Sequence, residues 1–365
     1  MTKLEIHLEP NSENRNIYFP GHLLKGYVEL NLDHSKKLRG CYLIVHGHAR
    51  AHWKEHHSSG KSSHTVSYEG LEIYINTKIY LFGNSGAEAI EIGAGIHRFN
   101  FSCELPYQLP YSMHTSHGEI MYFVKAVLDI PWAFDKECQI PFLIVRYEDL
   151  NLYPRLRLPL DVDKLTTFFL DSEPLKTTIS LPYTGFAIGQ KIPIKIKYLN
   201  QGTVSVKETE IKLKRLISFT SQTPHVKVKT EKQMMSKVVT GGVESKSSIE
   251  HDCYLEIPKI ALNSNGLYCR VVRVEYFLKI EAHVGMFHNN VKIVVPITIG
   301  SSPITMHAES YVQENLGYPI APSIYSPTAP EEHIVAEDDF PPSFEEAIGT
   351  SQNGQEQNMK FGWNI

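Results

Sequence analysis

Five histidines crowd one stretch: His46, His48, His52, His56 and His57. On a strand, His46, His48 and His52 share a face, and imidazoles so spaced can hold zinc. No carboxylate or cysteine completes the ligand set, so the stretch reads as a polar solvent face running into a loop, and no metal is assigned. Gly60-Lys61-Ser62 copies the end of a phosphate-cradling loop. Glu55 stands where the first glycine of that loop belongs, and no strand-to-helix step surrounds it. The five cysteines, Cys41, Cys103, Cys138, Cys253 and Cys269, are scattered and odd in number, with no CxxC pair. They read as reduced thiols, several of them buried. Asn100-Phe101-Ser102 is a formal glycosylation sequon inside an expected strand and is discounted. No Ser/His/Asp or Cys/His arrangement, cofactor loop or carboxylate pair stands out. The expected protein is not an enzyme and carries no cofactor.

The elements that hold these residues are strands. His97 to Leu105 alternates, with Phe99, Phe101, Cys103 and Leu105 on one side and Arg98, Asn100, Ser102 and Glu104 on the other. Leu105-Pro106 and Leu109-Pro110 then force an extended crossing, because proline lacks an N–H and restricts its predecessor. After Gly118, Ile120, Tyr122, Val124, Ala126, Leu128 and Ile130 line one face. Met121, Phe123 and Val127 make the other face apolar too, which places this strand centrally. Two long strands joined by such a crossing imply a sandwich whose sheets the crossing links.

Elsewhere the same style repeats. Leu4, Ile6 and Leu8 open the first strand; Val28, Leu30 and Leu32 follow, then Cys41 to Val45, and Ile73, Ile75, Ile79 and Leu81. Lys54 to Tyr68, rich in Ser and His, is expected as an exposed loop, and Gly83 to Gly95 as a second loop. Ile140, Phe142 and Ile144 close a first domain near residue 150. Ile192, Ile194, Ile196 and Tyr198 carry outward Lys191, Lys195 and Lys197. Ile211 and Leu213 alternate with Lys212 and Lys214. Lys227 to Ser248 is expected as a loop with strand margins. Val272 to Ile280 and Ile293 to Ile299 alternate cleanly, ending at Gly300.

The chain has 365 residues, enough for two domains. Met1 to Pro10 is polar, unlike a signal peptide, and no stretch approaches the ~20 apolar residues of a membrane-spanning helix. A cytoplasmic location is expected. Net charge is −4, but Lys and Arg outnumber Asp and Glu about twofold between Lys176 and Gly300, whereas Lys360 is the only Lys or Arg after Gly300. The lysines at 191, 195, 197, 212 and 214 would stack on one basic surface. That surface reads as a solvated face, as a receptor for anionic lipid headgroups or phosphorylated tails, or as a seat for the acidic tail. Negative overall charge and the absence of a recognition motif argue against nucleic acid.

Three groups of residues resemble the arrestin family, in its α-arrestin (arrestin domain-containing) branch. The first is Gly95-x-His97-x-Phe99-x-Phe101. The second is Leu105-Pro106-x-x-Leu109-Pro110-x-Ser112. The third runs from Gly118 through Tyr122, Val124-Lys125-Ala126 and Asp129 to Pro131-Trp132. Pro20-Gly21, Gly26 and Val28 add to it, as does Asn200 at the opening of the second domain. The resemblance spans roughly Leu4 to Gly300. It implies an all-β fold of two tandem antiparallel, immunoglobulin-like β-sandwiches, at 1–150 and 151–300, followed by an acidic, proline-bearing tail at 301–365 expected to be disordered.

Within that tail, Phe340-Pro341-Pro342-Ser343-Phe344 resembles the family's PPxY element, which binds WW domains of HECT-type ubiquitin ligases. A polyproline helix seats its prolines in an aromatic groove with little entropy loss, and the aromatic residue fills a second pocket. Phe344 stands where the family has tyrosine, so a hydroxyl hydrogen bond of about 0.5–1.5 kcal/mol is missing. Pro322-Ser323-Ile324-Tyr325 keeps the tyrosine and lacks the second proline; two weak sites on one chain can act by avidity. The resemblance implies a non-catalytic adaptor, recruited peripherally to plasma membrane and endosomes, that links membrane receptors or transporters to a WW-domain HECT ligase. The alternative is a coat or sorting subunit, like retromer's arrestin-like component, that acts without the ligase.

Overall fold

The computed structural model describes residues 2–305 apart from 11–15, 60–61, 85, 87, 170, 172 and 286–287; residues 306–365 lie outside it. Alternating residues along the first half form β1 (Lys3–Leu8), β2 (Ile17–Tyr18), β3 (Leu23–Leu32), β4 (Lys36–Leu38), β5 (Gly40–Ser59), β6 (Ser62–Gly83), β7 (Ile90–Ile92), β8 (Gly95–Glu104), β9 (Met113–His114), β10 (Gly118–Asp129) and β11 (Lys136–Ile144). Two 3-10 turns, Leu150–Leu152 and Pro154–Arg157, lead into β12 (Leu160–Thr166), β13 (Leu175–Leu181), β14 (Gly185–Ala187), β15 (Lys191–Asn200), β16 (Val206–Thr220), β17 (Val228–Val243), β18 (Ser248–Glu256), β19 (Val272–His283) and β20 (Val291–Gly300).

The chain is all-β and makes two tandem sandwiches. In the first, the sheet β1-β3-β8 faces the sheet β2-β11-β10-β5-β6; in the second, β12-β13-β15-β18 faces β14-β20-β19-β16-β17. β10 sits between β11 and β5, and its side chains from Ile120 to Leu128 explain why: Ile120, Tyr122, Val124, Ala126 and Leu128 are buried on the inner face. β8 is an edge strand, so only its inward Phe101 and Cys103 are buried while Ser102 and Glu104 meet solvent. The crossing from β8 to β10 joins the two sheets. Its Leu105 and Leu109 are buried, and Tyr122 donates its hydroxyl to the Pro110 carbonyl at 2.8 Å. Proline removes an N–H there but leaves a carbonyl that a buried tyrosine satisfies.

The second core is built from Ile192, Ile194, Ile196 and Tyr198 of β15 against Ile211 and Leu213 of β16 and Val274, Tyr276, Leu278 and Ile280 of β19. Each such side chain removed from water contributes on the order of 1.5–3 kcal/mol. The Tyr198 hydroxyl meets Thr209 Oγ1 at 2.7 Å, so these two buried hydroxyls satisfy each other.

Two expected loops are strands, and a third is a loop that holds one short strand. Lys54 to Tyr68 forms the outer halves of the β5–β6 hairpin, in continuous register from Lys54↔Ser67 to His57↔His64. Lys227 to Ser248 is mostly β17, paired along its length with β16. Gly83 to Gly95 holds β7, which pairs with β4. Serine, histidine and lysine hide these strands from a periodicity search, because a strand exposed on both faces, or lying at a sheet edge, needs backbone pairing but no apolar alternation.

Candidate functional site: the clasp between sandwiches and the outer sheet faces

Two glycines let the sandwiches meet. A Cβ on Gly70 would lie 2.1 Å from the Thr220 carbonyl oxygen, and one on Gly118 would lie 2.8 Å from the Val272 side chain. Backbone bonds cross the gap so opened: Glu69 N–H donates to the Thr223 carbonyl at 2.9 Å, and Gln222 N–H donates to the Glu69 carbonyl at 2.7 Å. Above them Trp53 stacks on Tyr68, with centroids 5.1 Å apart and planes at 12°. Lys227 reaches across from the second sandwich, 4.9 Å from the Tyr68 ring centre, to Glu55 Oε2 at 2.5 Å. Trp53 Nε1–H donates to the other Glu55 oxygen at 3.0 Å. The Lys227 hydrogen bond holds the Glu55 carboxyl below its usual range against the opposing effect of burial, and the same bond raises Lys227.

A second set of bonds lies near the connector. Arg146 lies over the Tyr268 ring at 3.4 Å from its centre. Tyr111 donates its hydroxyl to the Asn263 carbonyl at 2.8 Å, and Asn263 Nδ2–H donates to the Arg146 carbonyl at 3.0 Å. Glu148 N–H donates to Ser301 Oγ at 3.1 Å. These bonds hold the two modules together.

The five expected lysines do not share a surface. Lys191, Lys195 and Lys197 lie on the outer face of β15, in one sheet of the second sandwich. Lys212 and Lys214 lie on the outer face of β16, in the facing sheet, so the two groups look away from each other. Single-strand alternation shows which residues point outward but not which sheet a strand joins. Lys195 is engaged by Glu250 at 2.6 Å, which tempers that side. The β16 side is richer than the sequence suggested. Lys212 stands directly opposite Lys237 of β17 and Lys279 of β19, and opposed residues share a face.

His46, His48 and His52 alternate along β5 as expected, with the His46 and His48 rings 5.2 Å apart and His48 buried. His46 Nδ1 lies 3.2 Å from Asn76 Oδ1 and His52 Nε2 lies 3.1 Å from Ser67 Oγ, while burial, and then His46, depresses the His48 pKa. Among the described residues, ligand atoms of Glu5, His7 and Glu29 come within 4.8 Å of one another. Lys3 at 2.8 Å already neutralises Glu5, and Arg98 at 2.9 Å neutralises Glu29. All five cysteines are free; burial pushes the Cys41 thiol up to about 12, the opposite of a reactive thiolate. No helix among the described residues is long and apolar enough to cross a membrane. Pro322, Tyr325, Pro341, Pro342 and Phe344 lie outside the described residues.

Two sandwiches in tandem, clasped through a long hairpin, define a two-module all-β protein. Residues 5–151 match the family described as arrestin (or S-antigen), N-terminal domain, and residues 171–304 match arrestin (or S-antigen), C-terminal domain. The chain belongs to the arrestin family, in its α-arrestin branch. It is 28% identical over 313 residues to Arrestin domain-containing protein 17 of Caenorhabditis elegans, covering 81% of this chain and 71% of the relative. It is 26% identical over 302 residues to Arrestin domain-containing protein 4 of Mus musculus, covering 80% and 70%. It is 23% identical over 356 residues to Arrestin domain-containing protein 1 of Mus musculus, covering 95% and 76%. This kinship supports an adaptor role in trafficking in general terms.

Proposed function

We propose that the chain is a non-catalytic trafficking adaptor. It docks membrane receptors or transporters on the surfaces of its sandwiches at 1–150 and 151–300, and its tail at 301–365 recruits a WW-domain HECT-type ubiquitin ligase, so that cargo is ubiquitinated and internalised. It works in the cytoplasm, at the plasma membrane and at endosomes. Catalysis belongs to the ligase. The observation that carries this reading is the sequence Phe340-Pro341-Pro342-Ser343-Phe344 on a chain of the arrestin family. Kinship alone does not assign function, because one fold serves many.

The test is capture by immobilised WW domains of full-length chain. Phe344→Tyr restores the missing hydroxyl and tightens binding by up to about tenfold, while Pro341→Ala weakens it. A chain indifferent to both changes acts without the ligase.

A further inference from the structure

The outer face of the sheet β14-β20-β19-β16-β17 carries a charge pattern at odds with sheet stability. Lys237, Lys212 and Lys279 stand in one row across three adjacent strands. Like charges directly opposed across strands destabilise a sheet. Lys214 lies two residues along β16 on the same face, and Lys232 projects beside it opposite Leu216. Their proximity is felt: burial first, and then Lys279, Lys212 and Lys232, depress the Lys214 ammonium. Glu210 meets Lys212 at 2.6 Å and Lys237 at 3.2 Å, Glu281 meets Lys279 at 3.5 Å, and Glu275 stands opposite Leu216 on the same face, so these three carboxylates are outnumbered by the five lysines. Between the lysines the face is apolar and open. Met234 stands opposite Lys214 and Val294 opposite Lys279, and they are 51% and 57% exposed. A ligand for this face is anionic, extended along a row of charges, and carries apolar side chains between its acids.

One segment of the same chain has that chemistry. Glu331 to Glu346 contains Glu331, Glu332, Glu337, Asp338, Asp339, Glu345 and Glu346 with no Lys or Arg, and places Ile334, Val335, Phe340 and Phe344 among them. The last described residue, Thr305, belongs to the second sandwich and lies 26 residues before Glu331, counted as 331 − 305. Chain geometry limits that reach to about 90 Å, far more than the length of a strand. At such tether lengths an intramolecular partner outcompetes a dilute external one.

We propose that the acidic segment Glu331–Glu346 docks in cis on the lysine row Lys237-Lys212-Lys279 of the second sandwich. The docked segment contains Pro341, Pro342 and Phe344, so docking also covers the ligase motif. That consequence rests on the adaptor reading above, whereas the docking itself does not.

Zero-length carbodiimide cross-linking of the full-length chain, read by mass spectrometry, tests the contact. Links from the carboxylates of Glu331–Glu346 concentrate on Lys212, Lys214, Lys232, Lys237 and Lys279, and they disappear in high salt. Changing the seven carboxylates to amides, a change confined to the tail, removes the reacting groups and serves as the blank. Links spread evenly over lysines of both sandwiches, or none at all, overturn the proposal. Hydrogen exchange gives a second reading: β16 and β19 lose protection in the amide variant, and identical protection overturns it. Sedimentation with phosphatidylcholine vesicles containing phosphatidylserine tests the other occupant. Vesicle binding that needs the lysine row, without tail links, makes the face a membrane surface and ends the proposal. WW-domain capture separates the two readings. Several-fold stronger capture after Lys212→Gln and Lys279→Gln supports cis masking, whereas cross-links without any WW capture leave the docking standing and remove the ligase role.

Discussion

Gly70 shows how much a single missing carbon decides. Its absent side chain lets the Glu69–Thr223 backbone bond form, and an added Cβ would press against the Thr220 carbonyl, which cannot swing away as a side chain does. Gly70→Ala is expected to destabilise the chain by about 1–3 kcal/mol in urea unfolding. Gly93, with nothing within 4 Å of its would-be Cβ, is the control, and Gly93→Ala is expected to leave stability nearly unchanged. Neither difference is legible in the sequence, since both glycines sit in similar polar surroundings. Glu55 and Lys227 make the second residue-scale case. A double-mutant cycle with Glu55→Gln and Lys227→Met is expected to give about 0.2–1 kcal/mol of coupling, the range for a pair only partly shielded from water.

The β5–β6 hairpin is the element whose role the sequence concealed. Its inner half opens on a fully apolar run, of which Cys41, Leu43 and Val45 are buried. Its outer half is polar, yet Trp53 and Tyr68 are 2% and 3% exposed; they stack on each other, and Tyr68 meets His225 and Lys227 from the second sandwich. Trp53→Ala is expected to cost about 3–5 kcal/mol and to raise amide exchange in Lys54 to Ser67 before the rest of the first sandwich. Uniform exchange across both sandwiches would show that the stack does not hold the hairpin. β17 teaches the same lesson at a sheet edge. Its lysines look like loop residues one at a time, and only pairing with β16 reveals a row.

At the scale of the whole molecule, two modules are joined by groups that titrate. Glu55 is held below its usual range by Lys227 across the clasp, and Glu210 by Lys212 within the second sandwich. A carboxyl lowered by folding adds stability that is fully present above its unfolded pKa of about 4.3 and is lost as pH falls through the folded value. Stability is therefore expected to hold at neutral pH and to decline below about pH 4.3. The Lys227→Met chain is expected to show a smaller decline, because its Glu55 loses the strongest of the bonds that hold it low. Denaturant midpoints for both chains across that window check this; parallel curves would remove Glu55 from the account.

The sequence alone determined the class of fold and the core. A strand repeats every second residue, so Ile120 to Leu128 and Val272 to Ile280 announce their buried faces without any partner in view. It also exposed the proline motif and the charge split, which are properties of composition. Tertiary structure alone decided which sheet each strand entered. That choice set Lys191, Lys195 and Lys197 apart from Lys212 and Lys214, and brought Lys237 and Lys279 beside Lys212. Alternation records which side of a strand is dry, a local quantity; which strand lies alongside is fixed by long-range pairing between residues dozens of positions apart.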